Sequence, residues 1–190
     1  MDTDEKIFAA LERLQTASRA ALTNAGVQNG LSTLQAQLLQ LLQRRDGMRP
    51  STLAAQLQVS KPTVSDAVAT LVAKGLVMRK RQKADARSHE LGLTKKGRAE
   101  TLRLGGYATP FLQSLEALSS GQKSALWEAL LNLLRALESN GFIPHQRMCL
   151  SCEHFHPNAR EGTGFCGLLQ SPLAIQDLRL DCPDHQATDS

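Results

Sequence analysis

Residues Ser51–Arg98 read STLAAQLQVSKPTVSDAVATLVAKGLVMRKRQKADARSHELGLTKKGR. Leu53, Ala54 and Leu57 make an apolar stripe that one helix face can bury. Ser60 is placed to cap a second helix, Pro62 is tolerated in its first turn, and Val59 and Val64 can staple the entry. Val64, Val68, Leu71 and Val72 then recur at helical spacing as its buried face, leaving Lys61, Thr63, Ser65, Asp66 and Thr70 outside. Gly75 ends the helix, and Leu76 and Val77 open a strand that runs into Arg79, Lys80, Arg81, Lys83 and Arg87. His89, Leu91 and Leu93 alternate with polar or small neighbours, as a half-buried return strand requires. The expectation is a mainly α chain with a small β-wing, that is, a winged helix-turn-helix.

Short polar side chains at the start of such a helix can approach base edges in a major groove, and Lys61 with the helix N-terminus suits a phosphate. A solvated helix face would be the better reading if this helix stood alone. It is followed by five basic residues in the nine positions from Arg79 to Arg87. Between Leu31 and Arg98 there are 13 Lys and Arg against 4 Asp and Glu, a formal charge of +9 in a chain whose total is only +4. Basic charge is therefore segregated on the segment with the helix pair, the footprint expected of a unit that binds double-stranded DNA.

With those residues in view, positions 31–140 resemble the MarR family of bacterial transcriptional regulators. The resemblance is carried by the helix pair, by Asp85 and Arg87 in the wing, and by Leu91-Gly92-Leu93-Thr94 followed by Lys95, Lys96 and Gly97. It implies that Asp85 and Arg87 brace the wing and that basic residues of the wing reach the minor groove. It also implies a homodimer, commonly a repressor released by a small molecule or by oxidation.

Around this unit the chain reads as helices. Ile7, Phe8, Leu11, Leu14 and Leu22 form one stripe, suited to the monomer's own packing or to a subunit interface. Leu34, Leu38, Leu41 and Leu42 form another, ending at a turn over Asp46-Gly47 and supporting the second helix from behind. Thr94 can cap a long pattern through Leu102, Tyr107, Phe111, Leu112, Leu115 and Leu118, with a bend at Gly105-Gly106 and Pro110. Ser119 or Ser120 starts a last helix faced by Leu126, Leu130, Leu133, Leu134 and Leu137. Asn140-Gly141 stops it, with Phe142 placed to cover its last turn. The organisation expected is a helical dimerisation region over 1–30 and 97–141, the winged helix over 31–96, and a separate tail over 142–190.

All four cysteines lie in that tail: Cys149, Cys152, Cys166 and Cys182. The acidic start MDTDEK lacks the basic-then-apolar pattern of a signal peptide and no run is long enough to span a membrane, so a cytoplasmic protein is expected. Structural disulfides are rare there, and clustered cysteines suggest thiolate ligands. Four soft ligands complete a tetrahedral zinc site or an iron-sulphur cluster, one centre per chain. The wrapping Cys149-Leu-Ser-Cys152-Glu-His-Phe155, Phe165-Cys166-Gly-Leu168 and Cys182-Pro183 is loosely similar to high-potential iron-sulphur proteins, with Pro183 where that family has an aromatic. A [4Fe–4S] cluster is favoured over zinc, with metal-free redox thiols third. His145, His154, His156 and His185 fall among the cysteines and read as surface or outer-shell residues.

No phosphate loop, zinc-protease helix motif or nucleophile elbow is present, so the sequence gives no reason to expect an enzyme. The expected function is a DNA-binding regulator, a repressor acting as a homodimer on a palindromic operator, with a redox or small-molecule effector. The alternatives are a thiol-disulfide or electron-transfer protein using the tail, and a regulator whose zinc tail is only structural.

Overall fold

The computed structural model describes residues 2–81, 89–160 and 163–188. Seven helices among them are α1 (Thr3–Gln28), α2 (Thr33–Arg44), α3 (Pro50–Leu57), α4 (Lys61–Ala73), α5 (Lys95–Leu104), α6 (Thr109–Glu116) and α7 (Ser120–Ser139). The strands are β1 (Val77–Arg81) and β2 (His89–Leu93), then β3 (Phe155–Arg160), β4 (Thr163–Cys166) and β5 (Ser171–Leu173). The chain forms two compact units, residues 1–113 and 114–190.

In the first unit, short polar residues set the helix starts. Ser32 accepts from the Gln35 amide and Gln35 returns the bond, a reciprocal cap that fixes where α2 begins. Leu38, Leu39 and Leu42 of α2 are buried with Leu53 and Ala54 of α3 and with Val64, Val68 and Leu71 of α4. One apolar core therefore holds the helix pair from behind, and Leu22 of α1 and Leu104 of α5 join it. The tight turn between α3 and α4 is closed by the Val59 amide donating to Ala54 O at 3.0 Å. It bends through Gln58 at φ 52°, a left-handed position taken here without glycine.

β1 and β2 pair antiparallel, with Val77 opposite Leu93, Arg79 opposite Leu91 and Lys80 opposite Glu90. Leu91 and Leu93 are buried as the alternation predicts, whereas His89 is exposed. Gly92 between the leucines is also buried, because the side chains of Asp46 and Lys80 lie across it. Thr94 accepts from the Gly97 amide at 2.9 Å, capping α5, while its hydroxyl donates to Gly75 O at 2.7 Å. A Cβ on Gly97 would stand 1.9 Å from Leu76 O, so α5 rests directly on the start of β1. The Leu-Gly-Leu-Thr run and the glycine after it thus form one joint: two core leucines, a crossing glycine, a cap and a close approach.

The expected bend after α5 is a 3-10 turn, Gly105–Ala108, leading into α6. In the second unit, Ser119 caps α7 with Gln122 in reciprocal bonds, and Gly141 at φ +71° follows its end. Phe142 differs from the expectation that it covers the last turn: its ring is 71% exposed. Of the expected apolar face, Leu126 and Leu133 are exposed and Leu130, Leu134 and Leu137 half-buried, while Leu131, 1% exposed, and Trp127 pack with Cys149, Leu150, Phe155 and Leu178 of the tail. The tail itself carries a three-stranded antiparallel sheet in the order β3-β4-β5, which short, turn-rich segments without alternation did not announce.

No described helix is long and apolar enough to cross a membrane.

Candidate nucleic-acid interface and cysteine pocket

The candidate interface is the outward side of α4 with the strands that follow it. Ser60 accepts from the Thr63 amide at 3.2 Å and its hydroxyl meets the Thr63 hydroxyl at 2.7 Å. This fixes the first turn of α4 and ties Thr63 into the cap. Val64, Ala67, Val68 and Leu71 face the core, leaving Lys61, Pro62, Thr63, Ser65, Asp66, Ala69 and Thr70 exposed. Pro62 and Ala69 were not singled out from the sequence; on an outward helix face their small apolar surfaces suit contact with a thymine methyl. Thr70 turns its hydroxyl back to donate to Asp66 O at 3.1 Å.

On the wing, Arg79 is exposed, and the backbone of Arg81 pairs with His89. Lys80 lies 2.5 Å from the Asp46 carboxylate, so the loop before α3 balances its charge. Lys83, Asp85 and Arg87 lie outside the described residues. Two further lysines have structural partners: Lys74 donates to Gly30 O and Lys96 to Lys74 O.

The first unit also carries an open crevice of about 740 Å³ whose walls include Arg19, Leu22, Gln40, Arg44 and Tyr107. The Gln40 Nε2 atom is buried without a hydrogen-bond partner among the described residues.

In the tail, local pairing gathers four distant cysteines. Cys149 and Cys152 sit on a 3-10 turn closed by the Cys152 amide donating to Cys149 O at 3.1 Å. Cys149 N donates to Arg179 O and Cys182 N to Arg147 O, both at 3.0 Å, which brings the last cysteine beside the first pair. Cys166 is opposite Phe155 in the β3–β4 register. The Phe155 ring lies over Gly164, where a Cβ would come within 2.5 Å of it.

All four cysteines line one pocket, together with His154, Phe155, Leu168, Leu169, Leu173 and Asp184. Its empty space is about 370 Å³, part of it open to solvent. The Arg179 amide donates to Cys149 Sγ at 3.3 Å and the Leu169 amide to Cys166 Sγ at 3.5 Å. All four sulphurs are free thiols. Burial pushes the Cys149 thiol above its ordinary value; the Arg179 hydrogen bond opposes this, and the other three cysteines add to it. Among the described residues no three His, Cys, Asp or Glu side chains are gathered as ligands for one metal ion.

Of the four histidines, His154 lines the pocket, and its Nε2 is buried without a hydrogen-bond partner among the described residues. His185 is held by Ser151 O at 3.1 Å. Burial, and then the neighbouring His145, lowers its pKa below the usual imidazole value. His145 itself pairs with Glu138 at the end of α7.

Comparison with known proteins found likenesses for the part of the chain that carries the first of these two sites. Residues 29–88 match the model of the MarR family. No curated protein is similar enough to count as a match. Among solved structures, a MarR transcriptional regulator from Methanosarcina mazei Go1 is 25% identical with a TM-score of 0.57, covering 75% of this chain and 92% of its own. A MarR-family regulator from Silicibacter pomeroyi is 27% identical with a TM-score of 0.60, over 68% of this chain and 86% of its own. A transcriptional repressor, CouR, bound to a 23-mer DNA duplex, is 28% identical with a TM-score of 0.53, over 66% of this chain and 89% of its own.

Proposed function

We propose that this MarR-type chain is a transcriptional repressor that binds near-palindromic double-stranded DNA as a homodimer and is controlled through its cysteine tail. The observation that carries the DNA reading is α4: a capped helix whose one face is fully buried and whose other face offers Lys61, Ser65 and Asp66 on a strongly basic unit. In the proposed complex α4 enters the major groove, its N-terminal turn meets a phosphate, and Arg79 with the rest of the wing reaches the adjacent backbone or minor groove. The repressor CouR, caught on a duplex, supports this reading. A cytoplasmic location goes with this reading.

The dimer is supported by apolar side chains that the single chain leaves in solvent. Ile7, Phe8 and Leu14 of α1, Leu112 and Leu115 of α6, and Leu126 and Leu133 of α7 are each at least 40% exposed. A soluble monomer rarely shows so many large apolar residues on its dimer-competent helices. Two heads related by a two-fold axis would meet half-sites about one helical turn apart.

Control is proposed to pass through an iron-sulphur or zinc centre held by Cys149, Cys152, Cys166 and Cys182. Cys149 packs in the same apolar cluster as Leu131 and Trp127, so what the thiols bind bears on the order of α7. A small-molecule effector has a second place to act, the crevice beside Arg19, Gln40 and Arg44.

Selection of bound duplexes from a random-sequence library, followed by hydroxyl-radical footprinting of the winner, tests the reading. Two symmetric protected patches about one turn apart are expected. A single patch overturns the dimeric mode, and failure to enrich any sequence overturns the DNA-reading function.

A further inference from the structure

Four thiols spread between residues 149 and 182 stand around one apolar-walled pocket rather than around a point. That arrangement separates two chemistries. A tetrahedral zinc ion at roughly 2.3 Å from each sulphur draws the four sulphurs to about 3.8 Å of one another and leaves no space among them. Here the four thiols line one pocket that is partly open to solvent, and among the described residues no three candidate ligands are gathered as a site for one ion. In a cubane cluster each thiolate meets a different iron, so the sulphurs enclose a body.

We propose that the pocket binds a [4Fe–4S] cluster through Cys149, Cys152, Cys166 and Cys182, and that His154 Nε2 donates a hydrogen bond to it. The inference rests on reading the tail as a metal-binding segment and is independent of how the first unit meets DNA.

Three further features fit the assignment. Phe155, Leu168, Leu169 and Leu173 give the pocket an apolar lining, with Leu168 and Leu169 about half exposed, and an apolar shell tunes how a cluster meets solvent. The amides of Arg179 and Leu169 already point at Cys149 Sγ and Cys166 Sγ, the kind of bond that steadies thiolate charge on a cluster. His154 lines the pocket with a buried, unpartnered ring nitrogen, and the nearest carboxylate, Glu153, is 3.8 Å away, outside hydrogen-bond reach. A buried polar atom without a partner needs one, and a cluster sulphur supplies it.

The test uses the full chain, purified without oxygen and supplied with ferrous iron and sulphide, with a parallel sample given zinc. The expected result is about four iron and four acid-labile sulphide per chain, with broad visible absorption that dithionite bleaches. Loading should also quench the single tryptophan, because Trp127 packs in the same apolar cluster as Cys149.

Binding of about one zinc with no retained iron overturns the cluster while leaving a metal-binding tail. Binding of neither overturns both. Cys182→Ser and Cys166→Ser should each lose the visible spectrum while far-ultraviolet circular dichroism shows the helices retained; a spectrum kept in both variants overturns the ligand set. His154→Phe should keep the iron and move the reduction potential to a more negative value, because a hydrogen bond to sulphur favours the reduced, more negative cluster. An unchanged potential overturns the role of His154.

Discussion

Lys80 on β1 meets Asp46, in the loop between α2 and α3, at 2.5 Å, and the two side chains cross above Gly92 of β2. A methyl at Gly92 would stand 2.5 Å from Asp46 Oδ1 and 2.8 Å from Lys80 Cε, so it would push these two side-chain ends aside. Both partners are about half exposed, and a surface pair of this kind contributes about 0–1 kcal/mol. Its consequence is for aim and charge rather than for fold stability. Asp46→Asn should change unfolding stability by less than about 1 kcal/mol, yet release Lys80 for a phosphate and steepen the salt dependence of DNA binding by about one contact. An unchanged salt slope would remove Lys80 from the interface.

Gly97→Ala should be far more damaging. Its Cβ would overlap Leu76 O, a backbone atom that can yield only if α5 lifts from β1. Overpacking of this kind costs about 1–3 kcal/mol, and urea denaturation should show a loss of at least about 2. Gly106→Ala, which meets nothing within 4 Å, is the matched control and should be close to neutral. Equal stability of the two variants would mean that α5 does not rest on β1 as described.

Ser60→Ala removes the cap of α4 and the partner of the Thr63 hydroxyl. A loss of about 1 kcal/mol in stability is expected from the cap alone. Because the same turn faces the proposed groove, DNA affinity should fall as well, and Ser60→Asp, which keeps an acceptor, should recover the stability. If Asp recovers nothing, the cap bond is not what sets the start of α4.

Much of the first unit is legible in its sequence. Ser60 and Thr94 announced helix starts because a short oxygen-bearing side chain before an apolar period has one strong local use, and both cap as expected; of the two candidates Ser119 and Ser120, Ser119 is the cap. Leu91, Leu93, Val64 and Val68 were legible as core because local period and burial agree. What the sequence hid depends on distant partners. Lys80 looked like one more basic residue of the wing, and only the chain's return past Asp46 gives it a partner. Leu131 was passed over on α7 because its partners, Cys149 and Leu178, come from a tail with no helical or strand period of its own. The four cysteines were legible as a set, but their meeting in one pocket follows from backbone pairs such as Cys149–Arg179 and Cys182–Arg147, which spacing cannot reveal.

Leu131→Ala tests that tail packing. Leu131 is 1% exposed among Trp127, Cys149, Leu178 and their neighbours, and truncating a buried leucine costs about 2–5 kcal/mol. Trp127 fluorescence should report earlier unfolding of this unit, with helical signal from residues 1–113 retained. A fluorescence transition coincident with wild type would show that α7 and the tail do not share a core.

Phe8→Glu tests the subunit interface. Phe8 is 64% exposed in the single chain, so the charge should leave α1 folded. Sedimentation should show dimer dissociation at least tenfold stronger than wild type, about 1.4 kcal/mol, with weaker operator binding in step. A dimer of unchanged affinity would place the interface elsewhere.

The central claim is that α4 reads bases through its short polar side chains. Its most direct measurement compares wild type with a Ser65→Ala, Asp66→Ala double variant by fluorescence anisotropy, against the selected duplex and a scrambled duplex of equal composition, at one fixed salt concentration. Wild type should prefer the selected duplex by about a thousandfold or more. The variant should lose roughly ten- to a hundredfold of that preference while binding the scrambled duplex as wild type does. A preference that survives the double substitution intact would contradict the assignment of α4 as the reading helix.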